Sequence, residues 1–393
     1  MAPYESDDHT TAGEADEPSK ARRRAARYVV PVTVMGVAAA TIGLVPALAD
    51  SGDPDLPKIT AAQLIEKIAK SDVEQLSGTV KISTDLGLPD LGGLESSLAS
   101  GAVERGEGGS SADPSAKLTE LASGTHTLRV AADGPDRQKV SLLEDAAEYS
   151  LIHNGKDVWG YDSKSNEVYH GTVDEAGKEQ KPPATPKDFA EEALKSVDDT
   201  TSVTVDGTAQ VAGRDAYKLV VKPKQSGSTV GAISIAVDHE TGTPLKFTLT
   251  PASGGAAVVD VGFTKVSFDR PAASTFDFSP PKGAKVTEEG ELDQGKPEEA
   301  PEAEKELGKG LEGMKVLGEG WNSIATFDTG GEGLPAGDAG GFLGSLGDQV
   351  KGDFGTGTVF STRLVNALLT EDGTVYVGAV TKDALVKAAE EGK

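Results

Sequence analysis

Short segments that alternate apolar and polar residues follow one another at hairpin spacing through residues 124–171 and again through 202–269. Alternation at a period of two marks strands with one buried face. The first series reads GTHTLRVAA, RQKVSLL, AEYSLIHN, KDVWGYD and NEVYHG. Turn signals separate its members: DGPD at 133–136, NGK at 154–156 and DSKSN at 162–166. The second reads SVTVDGTAQVAG, DAYKLVVKPK, GAISIAVDHETG, PLKFTLTPA and AVVDVGFTKVSFD. SGTVKISTDL at 77–86 joins them, with Val80 and Ile82 on one side. So long a run of antiparallel strands cannot stay flat, because twist accumulates and the sheet curls.

Two amphipathic helices interrupt the strands. Residues 60–76 have Thr60 as a cap and Leu64, Ile65, Ile68 and Ala69 on one face. Residues 185–197 have Thr185 as a cap, Pro186 at the first helical position and a stripe of Phe189, Ala193, Leu194 and Val197. The expectation is a mainly β, α+β fold in which a curved antiparallel sheet carries a helical cover. The concave face is then either a filled core or a cavity for a long apolar ligand. Its candidate lining residues are Val80 and Ile82; Leu128, Val130, Val140 and Leu142; Trp159 and Tyr161; Leu219 and Val221; Ile233 and Ile235; and Phe247, Leu249 and Phe263. Leu64, Ile68, Phe189 and Leu194 form the underside of the lid.

The N-terminal region sets the compartment. Residues 1–27 are polar, read as disordered, and end in ARRRAAR; residues 28–49 carry no charge. A helix of that length reaches about 33 Å, enough to cross a bilayer. Basic residues before it and acidic ones after it keep the N-terminus cytoplasmic. Ala47 and Ala49 form an A-x-A site before Asp50, so the segment is a signal peptide cut between Ala49 and Asp50 or an uncleaved signal anchor. Both readings place residues 50–393 outside the cytoplasm. Arg22, Arg23 and Arg24 lack the hydrophobic residues that a twin-arginine signal needs just after the pair.

Residues 87–123, rich in Gly, Ser and Leu, read as a loop or lid inserted in the sheet domain (58–286), with helical turns around Leu91–Leu98 and Ala116–Leu121. Residues 287–310 are acidic, punctuated by Pro and Gly, and too poor in apolar surface to fold, which makes them a linker. A small α+β unit follows at about 311–390, containing STRLVNALLTEDGTVYVGAVTKDALVKAAEE.

Chemistry is hard to find. With 63 acidic against 38 basic residues and a net charge of −25, the chain lacks the basic footprint of a nucleic-acid binder. It has no cysteine, hence no disulfide, thiolate metal site or lipobox. There is no G-x-S-x-G, H-E-x-x-H or C-x-x-C, and GDFGTGTVFST lacks the G-K-[ST] of a phosphate loop. His126, His153 and His170 fall on or beside strands and read as separate structural or surface residues; His239 sits in a turn and His9 in the tail. Asp162, Lys164 and Asn166 have the spacing of a calcium loop without its later glycine and glutamate, and read as a turn. No catalytic residue, metal or cofactor is expected, and the chain reads as a binding protein rather than an enzyme; a secreted hydrolase is the remote alternative, and it would need a nucleophile or metal constellation that the sequence does not display.

GKDVWGYDSKSNEVYHG at 155–171 resembles the dG-x-x-vW-x-Yd stretch of the outer-membrane lipoprotein carrier family, LolA, and its relatives. GRDAYKLVVKPK, ISIAVDHETGTPLKF and FTKVSFDRPAASTFDFSPPKGAKV resemble the second half of that fold, and also the RseB/MucB sensors. The likeness spans about 58–286. It implies an unclosed antiparallel half-barrel with a helical lid, an apolar cavity for acyl chains of lipids or lipoproteins, and no catalysis. The sensor branch implies a membrane regulator of an envelope-stress sigma factor as partner. The family's Arg-Pro pair on the strand after the first long turn is absent: Arg129 and Arg137 are nearby, and neither precedes a proline.

Overall fold

The computed structural model describes residues 53–87, 110–114, 117, 121, 123–172, 185–195, 197–288, 315–329 and 347–392. The N-terminal tail, the apolar segment with Ala49 and Asp50, most of the 87–123 insertion and nearly all of the acidic linker lie outside the described residues. No described helix is long and apolar enough to cross a membrane.

Twelve strands form one sheet. They are β1 (Gln75–Thr84), β2 (Gly124–Asp133), β3 (Arg137–Leu143), β4 (Glu148–Asn154), β5 (Asp157–Asp162), β6 (Glu167–Thr172), β7 (Thr201–Val211), β8 (Arg214–Pro223), β9 (Val230–Asp238), β10 (Pro244–Pro251), β11 (Val259–Ser267) and β12 (Lys285–Glu288). Their order is β12-β6-β5-β4-β3-β2-β1-β11-β10-β9-β8-β7, a curved sheet that does not close into a barrel. Two meanders meet where β1 pairs with β11. Bulges interrupt β1 between Thr79 and Val80 and β7 between Val205 and Thr208, and such insertions bend a sheet.

Helix α1 (Ala61–Ala69) begins with a reciprocal capping box between Thr60 and Gln63. The sequence pattern predicts a helix to residue 76, but this one ends at Ala69. Gln75 and Leu76 are taken by the sheet, where they pair with Asp133 and Ala132. Helix α2 (Pro186–Lys195) is capped the same way by Thr185 and Asp188. Leu64 is fully buried under α1 and Ala190 under α2.

After β11 the chain does not turn back as a hairpin. Residues 268–288 cross the sheet's other face as a strap. Arg270 Nε reaches Asp133 Oδ1 at 3.0 Å, and Arg137 meets the same carboxylate at 2.5 Å. The Arg270 hydrogen bond holds Asp133 below its ordinary carboxylate range, helped by the charge of Arg137. The strap ends as β12, which lies parallel to β6 in a sheet that is otherwise antiparallel.

A second sheet of six strands, all antiparallel, holds β13 (Lys315–Leu317), β14 (Ile324–Asp328), β15 (Asp348–Gly352), β16 (Gly355–Ser361), β17 (Asn366–Thr370) and β18 (Thr374–Gly378). Their order is β13-β14-β18-β17-β16-β15. Helix α3 (Lys382–Glu391), capped by Thr381, covers it with Leu385 and Ala389 and closes a separate core around Leu368 and Val359. The two sheets are joined by backbone hydrogen bonds, Thr229 N–H to Ala379 O at 2.9 Å and Thr381 N–H to Gly227 O at 2.8 Å. Arg363 adds an ion pair with Asp85 at 2.6 Å.

The β12 latch titrates. His170 on β6 stacks on Trp159 at 3.8 Å and places its two ring nitrogens 2.8 Å from Glu288 on β12 and 3.1 Å from Asp157 on β5. Burial disfavours the imidazolium, but the two carboxylates outweigh it and the pKa lies above its ordinary 6.5. A folded pKa above the unfolded one gives stability that is full below about pH 6.5 and fades as pH rises through the folded value. The melting-temperature deficit of His170→Gln should therefore be largest in mild acid and shrink in alkaline buffer. A deficit that is constant across pH would show that the ring acts only by stacking.

Candidate ligand-binding face

Pairing register decides which side chains share a face. Val80 lies opposite Leu128 and Phe263, Leu128 opposite Leu142, and Leu142 opposite Tyr149. Val130, Val140 and Leu151 form the next row, and Ile82 lies opposite Val261. On the other meander, Phe247 and Leu249 oppose Ile235 and Ile233, which oppose Leu219 and Val221. Val261 opposite Phe247 joins the two halves. All these residues occupy one face, here called inner.

Trp159 and Tyr161 are on the other side. Their partners are Ile152 and His170 for Trp159, and Ser150 and Val168 for Tyr161; the inner-face residues of β5 are Val158, Gly160 and Asp162. The two rings instead meet Phe278 of the strap, at 5.5 and 5.7 Å. The aromatic concentration of 155–171 thus seats the strap on the outer face.

Three elements cover the inner face. Over the β7–β10 half lie α1 and α2, whose Leu64, Ile68 and Ala190 pack in one cluster with Leu219, Val221, Ile233, Ile235 and Phe247. Phe189 and Phe247 have ring centroids 5.5 Å apart, and Leu194 packs at the margin. Over the β4–β6 half lies the end of the 87–123 insertion. Tyr149 Oη donates to Ala112 O at 3.1 Å, and Glu167 receives Ser111 N–H at 2.8 Å and the Ser110 hydroxyl at 3.1 Å. Burial opposes the charge of Glu167, and these Ser111 and Ser110 donors outweigh it, so its carboxyl titrates below the ordinary value. Burial, helped by the Asp113 and Asp162 carboxylates, pushes the Tyr149 phenol well up.

The covers are held differently. Around α1, Lys67 Nζ donates to Glu240 O at 3.2 Å, Ser71 meets Thr243 at 3.1 Å, and Pro54 O and Pro57 O accept from Thr208 and Tyr217. The turn that receives Lys67 is built around a buried carboxylate. Asp238, fully buried, lies 2.5 Å from Arg214 Nε and accepts Thr241 N–H at 2.7 Å. Burial opposes its charge, and Arg214 and Thr241 still hold it below the ordinary range. Helix α2 lies on β10 and β11, and its Phe189, Ala190, Ala193 and Leu194 pack with the same cluster.

As described, the inner face is packed. Val80, Leu128, Leu219, Val221 and Ile235 have no exposed surface, and Ile82, Val130, Leu142, Ile233, Phe247 and Phe263 have at most 6%. Val140 and Leu249 are half-buried at its margins. A polar cleft of about 600 Å³, lined by Gln63, Glu66, Lys67, Lys70 and Glu240 among others, lies on the solvent side of α1, apart from this face.

The four described histidines are dispersed. His126 contacts Ser123 O, His153 contacts Gly155 O, His239 contacts Asp215 O, and His170 serves the latch. No cluster of metal-ligating residues occurs among the described residues. Asp162 accepts the N–H groups of Lys164 and Ser165, which makes the DSKSN stretch an Asx turn.

Tyr149, Gly160, Glu167 and Trp321 belong to this face or its covers and carry no signal in alternation alone. Gly160 is needed because a Cβ there would meet Ala112 O at 2.5 Å and Tyr149 Oη at 3.0 Å. Only a residue without a side chain lets the insertion lie on β5.

No protein-family model and no curated protein matches the chain. Among solved structures, the MucA/MucB complex of Pseudomonas aeruginosa is 14% identical, over 84% of this chain and 96% of that one, with a TM-score of 0.38. An uncharacterized conserved protein from Thermus thermophilus is 13% identical over 58% and 98%, with a TM-score of 0.31. A LolA-superfamily protein from Nitrosomonas europaea is 10% identical over 56% and 99%, with a TM-score of 0.22. MucB and LolA are the two families whose pattern the sequence resembles. At these values the likeness carries no argument about function, which rests on this chain's own residues.

Two substitutions separate the faces. Gly160→Ala should destabilise by about 1–3 kcal/mol in denaturant unfolding, because the insertion must lift off β5; an unchanged midpoint would mean that the segment is not seated there. Trp159→Ala should lower the melting temperature, because Phe278 of the strap and His170 lose the ring they pack on; an unchanged melting temperature would mean that the ring does not hold the strap.

Proposed function

We propose that the chain is an exported acyl-chain-binding protein of the cell envelope, a carrier or chaperone for lipid or the acyl chains of a lipoprotein, with no catalysis of its own. The observation that carries this reading is the continuity of the inner face. Apolar rows run across both meanders on one face, and over the β7–β10 half they are covered by separate helices rather than by a second sheet. A cover of helices can move without breaking strand pairing, so apolar surface can pass from helix to ligand at little net cost in burial. On this reading the moving cover is α2, whose Phe189 packs on Phe247 of the inner face. Delivery of residues 50–393 across a membrane by the 28–49 segment would bring this surface among envelope lipids.

A second reading is favoured by the second sheet. It has its own core and docks by loops, the layout of a sensor that presents one module to a regulator while the other holds the signal. On this reading the partner is a membrane regulator protein of an envelope-stress system, as the RseB/MucB resemblance implies. Affinity capture from host membranes with the full chain tests it. A single membrane protein released by added fatty acid supports the sensor role, and capture of none leaves the carrier role.

The primary test is uptake of cis-parinaric acid. The full chain should bind it saturably, and Phe189→Ala should speed uptake several-fold by weakening the hold of α2 on Phe247. Absence of saturable binding, together with no lipid retained in native mass spectrometry, would end the proposal.

A further inference from the structure

Trp321 lies beyond the acidic linker, in the chain of the second sheet, yet its ring packs against the core of the first. It sits on a short helical turn, Gly320–Asn322, between β13 and β14. The ring contacts the same cluster that holds Leu64, Ala190, Leu219 and Val221. Its indole N–H donates to Thr201 Oγ1 at 2.8 Å, and its backbone N–H donates to Gln225 at 3.1 Å. Thr201 opens β7 on the inner-face register, two residues before Val203, which packs on the same cluster. Gly320 has a φ of +58°, and a side chain there would collide with Thr200. The turn is therefore shaped for close approach to the start of β7.

The position is specific. β7 is the open edge of the twelve-stranded sheet, where an inner face with no further strand would otherwise meet water. A large indole with a satisfied N–H is suited to close such an edge, because it removes apolar area from water while leaving no polar atom unpaired. The neighbouring main-chain links at Gly227, Thr229, Ala379 and Thr381 fix the second sheet where the ring can reach.

From this contact we infer that the acyl-chain site is completed by the second sheet, and that Trp321 is its wall at the β7 end. The inference rests on the acyl-chain reading above. An acyl chain that takes the place of α2 starts on β10 and β11, where α2 lies, and reaches the indole across the cluster that Ala190 and Trp321 share. The twelve-stranded sheet without the second one would hold such a chain less tightly, since the β7 end would be open to water.

Trp159 and Trp321 are the two tryptophans of the chain and lie on different structures, one under the strap and one at the β7 edge. Trp159→Phe leaves Trp321 as the sole tryptophan, and Trp321→Phe leaves Trp159. The probe is 9,10-dibromostearic acid, whose bromines quench indole emission at contact range, with stearic acid as the control and displacement of cis-parinaric acid as the measure of binding. Dibromostearate should at least halve the emission of the Trp159→Phe chain and leave that of the Trp321→Phe chain unchanged, and Trp321→Ala should weaken parinarate binding several-fold. If both fatty acids displace parinarate but Trp321 emission is the same with either, the wall assignment is wrong while the acyl-chain reading stands. If the wild-type chain binds no parinarate, the acyl-chain reading falls and the wall with it.

Discussion

The structure depends on the pairing register of a single long sheet. Side chains alternate with a period of two, so a slip of one residue in any of the eleven pairings of this sheet would turn that strand's apolar set outward. From Val80 across Leu128 and Leu142 to Tyr149, and from Phe263 and Phe247 across Ile235 to Leu219, the register holds the apolar residues on one side. Everything that covers the sheet follows from that choice. α1, α2 and the 110–114 segment are drawn to the inner face, and the strap is left to the outer one.

The covers differ in kind because the faces differ in chemistry. The inner face offers apolar area, so both helices bury side chains on it, and α1 adds hydrogen bonds at its ends; truncating Leu64 there carries the usual large-to-small cost of about 2–5 kcal/mol. The outer face offers charges and rings beside the buried aliphatic side chains of Ile152 and Val168. The strap is accordingly held by the Arg270–Asp133 pair, the Phe278 contacts and the His170 latch. Apolar contacts tolerate exchange for another apolar surface, whereas specific ion pairs do not. On the acyl-chain reading, exchange belongs to the inner face, and the outer face holds the strap.

Much of this was legible in the sequence. The strands, their turns at DGPD, NGK and DSKSN, and both helix caps follow from local pattern. Most residues selected by alternation do share a face. Trp159 and Tyr161 do not, because alternation within one strand cannot say which parity faces inward; only the register through Ile152 and Ser150 decides it. The helix read to residue 76 stops at Ala69 because Gln75 and Leu76 gain more from pairing with β2, a long-range term that helical periodicity does not contain. The parallel pairing of β12, the need for Gly160 and the seat of Trp321 on β7 join residues far apart in the chain, and no local pattern reports them.

The central claim is that the inner face exchanges its helical cover for an acyl chain. Native mass spectrometry of the protein purified from its own host, followed by extraction of what it carries, tests this most directly. A fraction of molecules should carry an added mass that resolves on extraction into a lipid with at least one long acyl chain. Protein that emerges uniformly lipid-free from the host, and stays so after incubation with host lipid extract, would contradict it.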